Sequence, residues 1–383
     1  MKLRWLLLVS LGLLLTNCSK DDDSGKDIEL ATGIPDNSKA TPSPEVNPAE
    51  SNVSIPNVGF ATEKLNGYKV VNMNMTGIFN KLTGEWMKLH GTATGEQNIW
   101  LEIDGVPRSI KAESTGETRA AKKAFADVVF LIDNSGSMSE EADQLAKEVD
   151  AWSLRLSGLL DLQLGCVGYD GDINGGIDLG THEELSAYLN REGYQGTYRT
   201  IEFDGTRATE LETAAPNYNT GWNECGAAAL HFADEHYTFR PGANRIYVNF
   251  TDEPNQPNGN AKFSVSSVAS QNDWKVWQGT IHSVFSGSSD YDDSYDWQDL
   301  YEEKPWLMSD YTGGTSILDA PSSFEGVTLE SLPVTGALTN SYNVKFHYTP
   351  DLSTGKHKVE ITILSPDKSV KAVREFIDVS FSE

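Results

Sequence analysis

Cysteine is nearly absent: Cys18, Cys166 and Cys225 are the only three in 383 residues. That count excludes a disulfide-built scaffold and paired CxxC zinc knuckles. Bases are scarce beside acids, with 30 Lys and Arg against 56 Asp and Glu and a formal net charge of −26. Such a chain is repelled by phosphate backbones and anionic headgroups, so no nucleic-acid partner and no electrostatic hold on lipid are expected. The apolar run from Trp5 to Leu15 falls short of the roughly 20 residues that a spanning helix needs. Nucleotide and hydrolase signatures are missing as well. Neither GxSxG nor GxxxxGK[ST] occurs, and His231 and His236 are spaced wrongly for HExxH or its inverse. No internal repeat is visible. What the chain does have is a hydrophobic fraction of 38% and an aromatic fraction of 10%, enough to build sizeable cores.

The N-terminus reads as an address. Lys2 and Arg4 precede the apolar run, and Leu15-Thr16-Asn17-Cys18 follows it, the order of a secretory signal. A Cys in that place resembles the lipobox of bacterial lipoproteins, which implies a signal peptide over 1–17 and a lipidated Cys18. Ser19-Lys20-Asp21-Asp22-Asp23 resembles the acidic export tag of surface lipoproteins in some Gram-negative bacteria. The implied location is the outer membrane, facing the cell surface, with the membrane touched through the lipid alone. Residues 18–52 are polar, with Pro35, Pro42, Pro44 and Pro48. They read as a disordered tether with a reach of roughly 30–35 Å.

Two kinds of pattern divide the remainder. Residues 53–124 hold short strand-like runs such as Tyr68–Val71 and Ile99–Ile103, with a hairpin signal at Asp104-Gly105. Residues 340–383 hold two more, Tyr342–Tyr348 and Lys358–Ile363, alternating by two. Each set alone is small for an independent sheet, so the two are expected to pair into one β-sandwich. Between them, over 125–339, apolar strands alternate with helices. Ala126–Ile132, Leu162–Gly168, Arg245–Phe250 and Thr280–Phe285 are the strands. Residues 139–156 carry an apolar stripe at 3–4 spacing, and Glu224–His236 is a second helix. This is the pattern of an α/β fold with a doubly wound, mostly parallel sheet, in which ligands bind beyond the carboxyl ends of the strands.

The most informative stretch is Asp133-Asn134-Ser135-Gly136-Ser137-Met138, directly after the first apolar strand and before the first helix. It puts one carboxylate and two hydroxyls on a single loop, a donor set for a small hard cation. Apolar strand followed by Asp-x-Ser-Gly-Ser-Met resembles the metal-ion-dependent adhesion site of von Willebrand factor A domains. The resemblance implies a divalent ion, Mg²⁺ or else Mn²⁺ or Ca²⁺, and two further loops. Asp252, in Phe250-Thr251-Asp252-Glu253, matches the first. For the second, Glu224 falls where the family usually has Thr, as in integrin β subunits, and Thr220 is the runner-up. Glu140 and Glu141 stand at offsets where integrin β subunits hold a second, regulatory cation; acidic residues in a first helical turn are the plainer reading. Cys166 and Cys225 suit a disulfide outside the cytoplasm. The last helix of the domain, at 327–339, would be the element that couples to affinity in the family.

Asp170–Gly175 begins like a calcium loop but has Thr181 where an EF-hand needs Glu, and reads as a turn. Residues 288–302 form an acidic, aromatic loop. The function expected from these residues is non-enzymatic, metal-dependent adhesion to an acidic group on a protein partner or an extracellular glycoprotein. The alternatives are a glycan-binding accessory, suggested by Trp222, Trp297 and Trp306, and a structural subunit of a surface appendage.

Overall fold

The computed structural model describes residues 23–115, 125–139, 141–269, 274–290, 296–321 and 333–381. The leader, Cys18 and Glu140 lie outside them, as do most of the tip of the acidic loop and the first part of the expected last helix.

The chain opens with helix α1 (Asp23–Thr32) and then supplies β1 (Val58–Leu65), β2 (Tyr68–Met75), β3 (Phe79–Asn80), β4 (Glu85–Trp86), β5 (Ile99–Ile103), β6 (Val106–Arg108) and β7 (Lys111–Ser114). The central region follows as β8 (Phe125–Asp133), α2 (Ala142–Leu159), β9 (Asp161–Tyr169), β10 (Ile173–Gly180), α3 (His182–Leu189), β11 (Glu202–Asp204), α4 (Ala208–Ala214), α5 (Gly226–His236), β12 (Asn244–Thr251), β13 (Thr280–Phe285), α6 (Leu307–Thr312), β14 (Ser316–Ile317) and α7 (Pro333–Thr339). It closes with β15 (Tyr342–His347), β16 (His357–Leu364) and β17 (Lys371–Val379).

The fold is mixed α/β. Its main sheet has seven strands among the described residues, in the order β11-β10-β9-β8-β12-β13-β14. All neighbours are parallel except β9 and β10. Both faces are covered, which is why β8 is apolar without interruption. Val128, Phe130 and Ile132 point into a core shared with α2, α3 and α7. Val129 and Leu131 point the other way, toward α4, α5 and α6. From β8 the chain winds to β9 on one side and returns to β12 on the other. That reversal opens a crevice at the carboxyl ends of β8 and β12, the position where open α/β sheets bind ligands.

Two four-stranded antiparallel sheets lie beside it, β1-β2-β15-β7 and β17-β16-β5-β6. β15 sits between β2 and β7, and β16 pairs with β5, so each sheet contains strands from both ends of the chain. Alternate residues of both sheets meet in one core: Val71, Met73, Val344 and Phe346 from the first, Leu101, Ile103, Val359, Ile361 and Phe376 from the second. Asp104 and Gly105, both at positive φ (53° and 75°), make the tight turn from β5 to β6.

One expectation is corrected here. The segment from residue 23 to 52 is not a free tether. It forms α1 and short 3₁₀ turns at Asn37–Lys39 and Pro48–Glu50, each capped by an Asp or Asn side chain. Ile34 is completely buried. The Thr32 hydroxyl meets His347 Nε2 at 3.1 Å, Ser109 N and Oγ bond to Asn37 and Asp36, and Asn52 bonds to the strand at Lys371. Prolines do exclude long helix and sheet here, but an extended chain anchored by one apolar side chain and Asx turns needs neither. No described helix is long and apolar enough to cross a membrane.

Candidate metal centre

β8 ends on Asp133, whose carboxylate is fully buried. Its Oδ1 accepts the Ser135 N–H at 2.9 Å, and its Oδ2 accepts the Thr251 hydroxyl at 2.7 Å from the end of β12. The Ser135 and Ser137 hydroxyls lie 2.9 Å apart, and Ser137 Oγ donates to Asp252 Oδ1 at 3.1 Å. One hydrogen-bonded chain therefore runs Thr251, Asp133, Ser135, Ser137, Asp252 across the crevice between β8 and β12, passing from Asp133 to Ser135 through the Ser135 N–H. The loop is held from behind by a reciprocal amide pair, Asn134 with Asn174, and by Thr200. Asn134 and Thr251 hold the loop yet were invisible in the sequence, where they read as spacer residues.

The electrostatics are those of crowded carboxylates. Burial pushes Asp133 up to about 7, with nearby Asp252 adding to the push and the Thr251 and Ser135 hydrogen bonds opposing it. Asp252 is raised by burial. Glu253, which no motif marks, is pushed up to about 7 by burial and by Asp252, Glu224 and Glu302. Glu224 is raised by burial first, then by Asp170 and Asp252.

Glu224 stands just before α5, which begins at Gly226 with Cys225 at its cap. Together with Ser135, Gly136, Asp170, Asp172, Asn219 and Trp222 it lines an open cavity of about 460 Å³. Close backbone contact fixes that loop: a Cβ on Gly171 would fall on the Gly221 carbonyl, and Thr220 N donates to Gly171 O at 2.9 Å. The Thr220 hydroxyl is spent on the Gly171 and Asn223 carbonyls at 3.1 and 2.6 Å, so it closes the turn. Among the described residues no three carboxylate, imidazole or thiol groups converge closely enough to hold a metal on their own. The oxygens that do converge are two carboxylates, Asp133 and Asp252, with two serine hydroxyls between them, and Glu224 borders the same crevice. That donor set, all hard oxygen, with a fully buried Asp133 and a half-buried Asp252, fits a small divalent cation.

The other sequence candidates separate. Glu141 is buried, and Ser286 Oγ donates to it at 3.4 Å, on the side of β13; its partner in the second-cation expectation, Glu140, lies outside the described residues. Cys166 and Cys225 are free thiols, which corrects the disulfide expectation. Alternation along β9 turns Cys166 toward α2 and α3, whereas α5 carries Cys225 onto the opposite face of the sheet. Cys225 Sγ instead lies 3.4 Å from Asn255 Oδ1 and 3.5 Å from Phe263 O. His231 packs in the core against Trp274 and Phe263, with Nε2 at 2.8 Å from Ser267 Oγ. Asp170 and Asp172 close the tight β9–β10 turn through an Asx bond.

No protein-family model matches the chain, and no curated protein matches it. Solved structures do. The conserved hypothetical protein BatB from Bacteroides thetaiotaomicron is 14% identical, over 54% of this chain and 97% of that one, with a TM-score of 0.29. The adhesive tip pilin GBS104 from Group B Streptococcus agalactiae is 15% identical over 34% of this chain and 46% of that one, TM-score 0.23. The type V pili tip protein Mfa5 from Porphyromonas gingivalis is 10% identical over 47% and 32%, TM-score 0.23. Likeness at this level fixes neither a family nor a function, and the functional reading rests on the site.

Proposed function

We propose that this chain is a surface-anchored, non-enzymatic binding protein whose central region is a von Willebrand factor A-type domain with a metal-ion-dependent adhesion site. The observation that carries the reading is the hydrogen-bonded array Asp133–Ser135–Ser137–Asp252 at the reversal of the sheet, which gathers two carboxylates and two hydroxyls. A strand order that winds both ways from β8 supports it. Asp133, Ser135, Ser137 and Asp252 would hold Mg²⁺, Mn²⁺ or Ca²⁺, with Glu224 at the border of the site. When bound, such an ion supplies an electrophilic position for an acidic group of a partner protein. The protein's own contribution is to keep the oxygens preorganised: Thr251 and the Ser135 N–H orient Asp133, and Asn134 holds the loop. A lipidated Cys18 at the outer membrane, facing outward, is part of the proposal.

The test is binding of the purified protein to an array of extracellular matrix proteins and glycans in Mg²⁺ and again in EDTA. Metal-dependent hits are expected, lost in Asp133→Ala while its thermal midpoint in EDTA stays within a few degrees of wild type. Unchanged binding by folded Asp133→Ala overturns the reading.

A second reading has one observation behind it. Trp222 is 98% exposed beside the acidic cavity, an aromatic face free to stack on a sugar. Glycan binding that survives EDTA and fails in Trp222→Ala would favour that role.

A further inference from the structure

A second cavity lies at the other end of the central sheet, where it meets the antiparallel sheets. It measures about 280 Å³ and is walled by Thr76, Phe79, Lys81 and Trp86 on one side and by His282 and Thr315 on the other, with Ala337 of α7 and the segment 51–54 completing it. Junctions between such units are common places for small-molecule sites, and this volume suits a compact ligand.

Two features of the wall specify what it would accept. The first is His282, only 4% exposed. Thr315 N donates to its Nδ1 at 3.3 Å, and the Thr315 hydroxyl lies 2.8 Å from the same atom. A backbone N–H can only donate, so Nδ1 is the acceptor and the proton of the neutral ring sits on Nε2. No described residue accepts from Nε2. His282 lines the cavity, and its Nε2 is not among the described buried atoms left without a partner, so this N–H is a donor open to the cavity's occupant.

The second is charge. The chain holds 56 acidic residues, yet the described lining of this cavity contains no Asp or Glu and does contain an exposed Lys81. Asp310, outside the lining, is the carboxylate that feels the Lys81 charge. The apolar part of the wall is a tilted aromatic pair, Phe79 and Trp86, with centroids 5.1 Å apart.

We propose that this junction cavity binds a small carboxylate with an apolar body, the carboxylate taking hydrogen bonds from His282 Nε2–H and Lys81 and the body resting on Phe79 and Trp86. The site is independent of the metal centre, and its occupant would tie the antiparallel sheets to β13 and α7. Burial pushes His282 down to about 4, so the ring stays a neutral donor at physiological pH.

Benzoate serves as the probe and benzyl alcohol as its neutral counterpart, titrated by calorimetry into the purified protein in EDTA, so that no metal-held carboxylate contributes. Benzoate is expected to bind at least about tenfold more tightly than benzyl alcohol. Lys81→Glu, a surface change that leaves the core alone, is expected to cost about tenfold or more in benzoate affinity. His282→Leu should abolish binding; if that variant does not fold, Lys81→Glu carries the test alone. Equal binding of the two probes, no saturable benzoate binding, or unchanged affinity in folded Lys81→Glu overturns the proposal.

Discussion

Single side chains in this protein are placed where their protonation state decides their worth. His282 is the sharpest case, held neutral by burial with a pKa pushed from 6.5 to about 4. A folded-state pKa below the unfolded one means that the unfolded chain binds more protons between those values. The contribution is therefore complete above pH 6.5 and is lost as pH falls toward 4. Between pH 6.5 and 4.5 this one residue should remove ~2 kcal/mol of stability. Urea midpoints of wild type and His282→Gln at both pH values measure it; equal pH slopes in the two proteins would contradict the assignment. Asp127 is a different case. It is fully buried near the start of β8, where the Arg240 N–H and Nε bond its carboxylate at 2.7 and 2.6 Å. Burial raises its pKa and the guanidinium opposes the rise. Arg240→Ala leaves that carboxylate without its cation and should cost about 3 kcal/mol; the double variant Arg240→Leu/Asp127→Leu should recover part of it, since no charge is then stranded.

At the scale of elements, the parts of the fold that show in the sequence are those governed by period. β8 and α2 read correctly because two-sided burial leaves a continuous apolar run and one-sided burial leaves a 3–4 stripe; Val128 to Ile132 and Leu145, Val149, Trp152 and Leu156 are those residues, all buried. The Asp133 loop stands out in the sequence for a similar reason, since Asp133, Ser135 and Ser137 lie on one short stretch. Contributions that cross the chain did not. Thr251 reaches Asp133 over 118 positions, and no spacing rule links them. The packing of 23–52 was hidden because Ile34 is one of few apolar residues in a polar stretch, and partners of the segment such as His347 and Lys371 lie more than 300 positions away. The cysteine pairing failed on parity: a residue on β9 and a helix on the opposite face cannot meet through a sheet. Helix α7 depends on a glycine in the same non-local way. Trp86 lies flat on Gly336, so an added Cβ would overlap its ring, while nothing stands near Gly95. Trp152 Nε1 also anchors this helix through Thr335 at 2.7 Å. Gly336→Ala should cost about 1–3 kcal/mol by overpacking, against less than about 0.5 kcal/mol for Gly95→Ala. Denaturant midpoints of the two variants compare them directly, and equal midpoints would show that the ring moves aside freely.

The whole molecule is joined through a few residues between the antiparallel sheets and the central sheet. Asn57 N donates to Thr280 Oγ1 at 3.1 Å, and its side-chain amide donates to Gly279 O at 2.7 Å. Arg374, on β17, reaches from the other sheet into the same seam. Its guanidinium donates to the carbonyls of Ile55, Thr312 and Tyr311 and to Asn57 Oδ1. The planar fork is suited to four acceptors at once, and lysine is not a substitute for it. Burial disfavours its charge, pushing the group down to about 10, so the charge is kept at physiological pH at some cost, offset by those carbonyls. Such a seam couples two cores, one between the antiparallel sheets and one around the parallel sheet, into one cooperative unit. Wild-type protein is therefore expected to melt in a single calorimetric transition. Arg374→Ala takes a donor from three carbonyls and an amide at the seam and also lifts the guanidinium from the Phe376 ring, which it overlies at 4.9 Å from the centroid. It should lower stability by about 3 kcal/mol and split the melt into two transitions, one for each core. Arg374→Lys should fall between, keeping the charge but not the fork. A single transition at the wild-type midpoint in Arg374→Ala would mean that the apolar contacts along the junction couple the two cores without it.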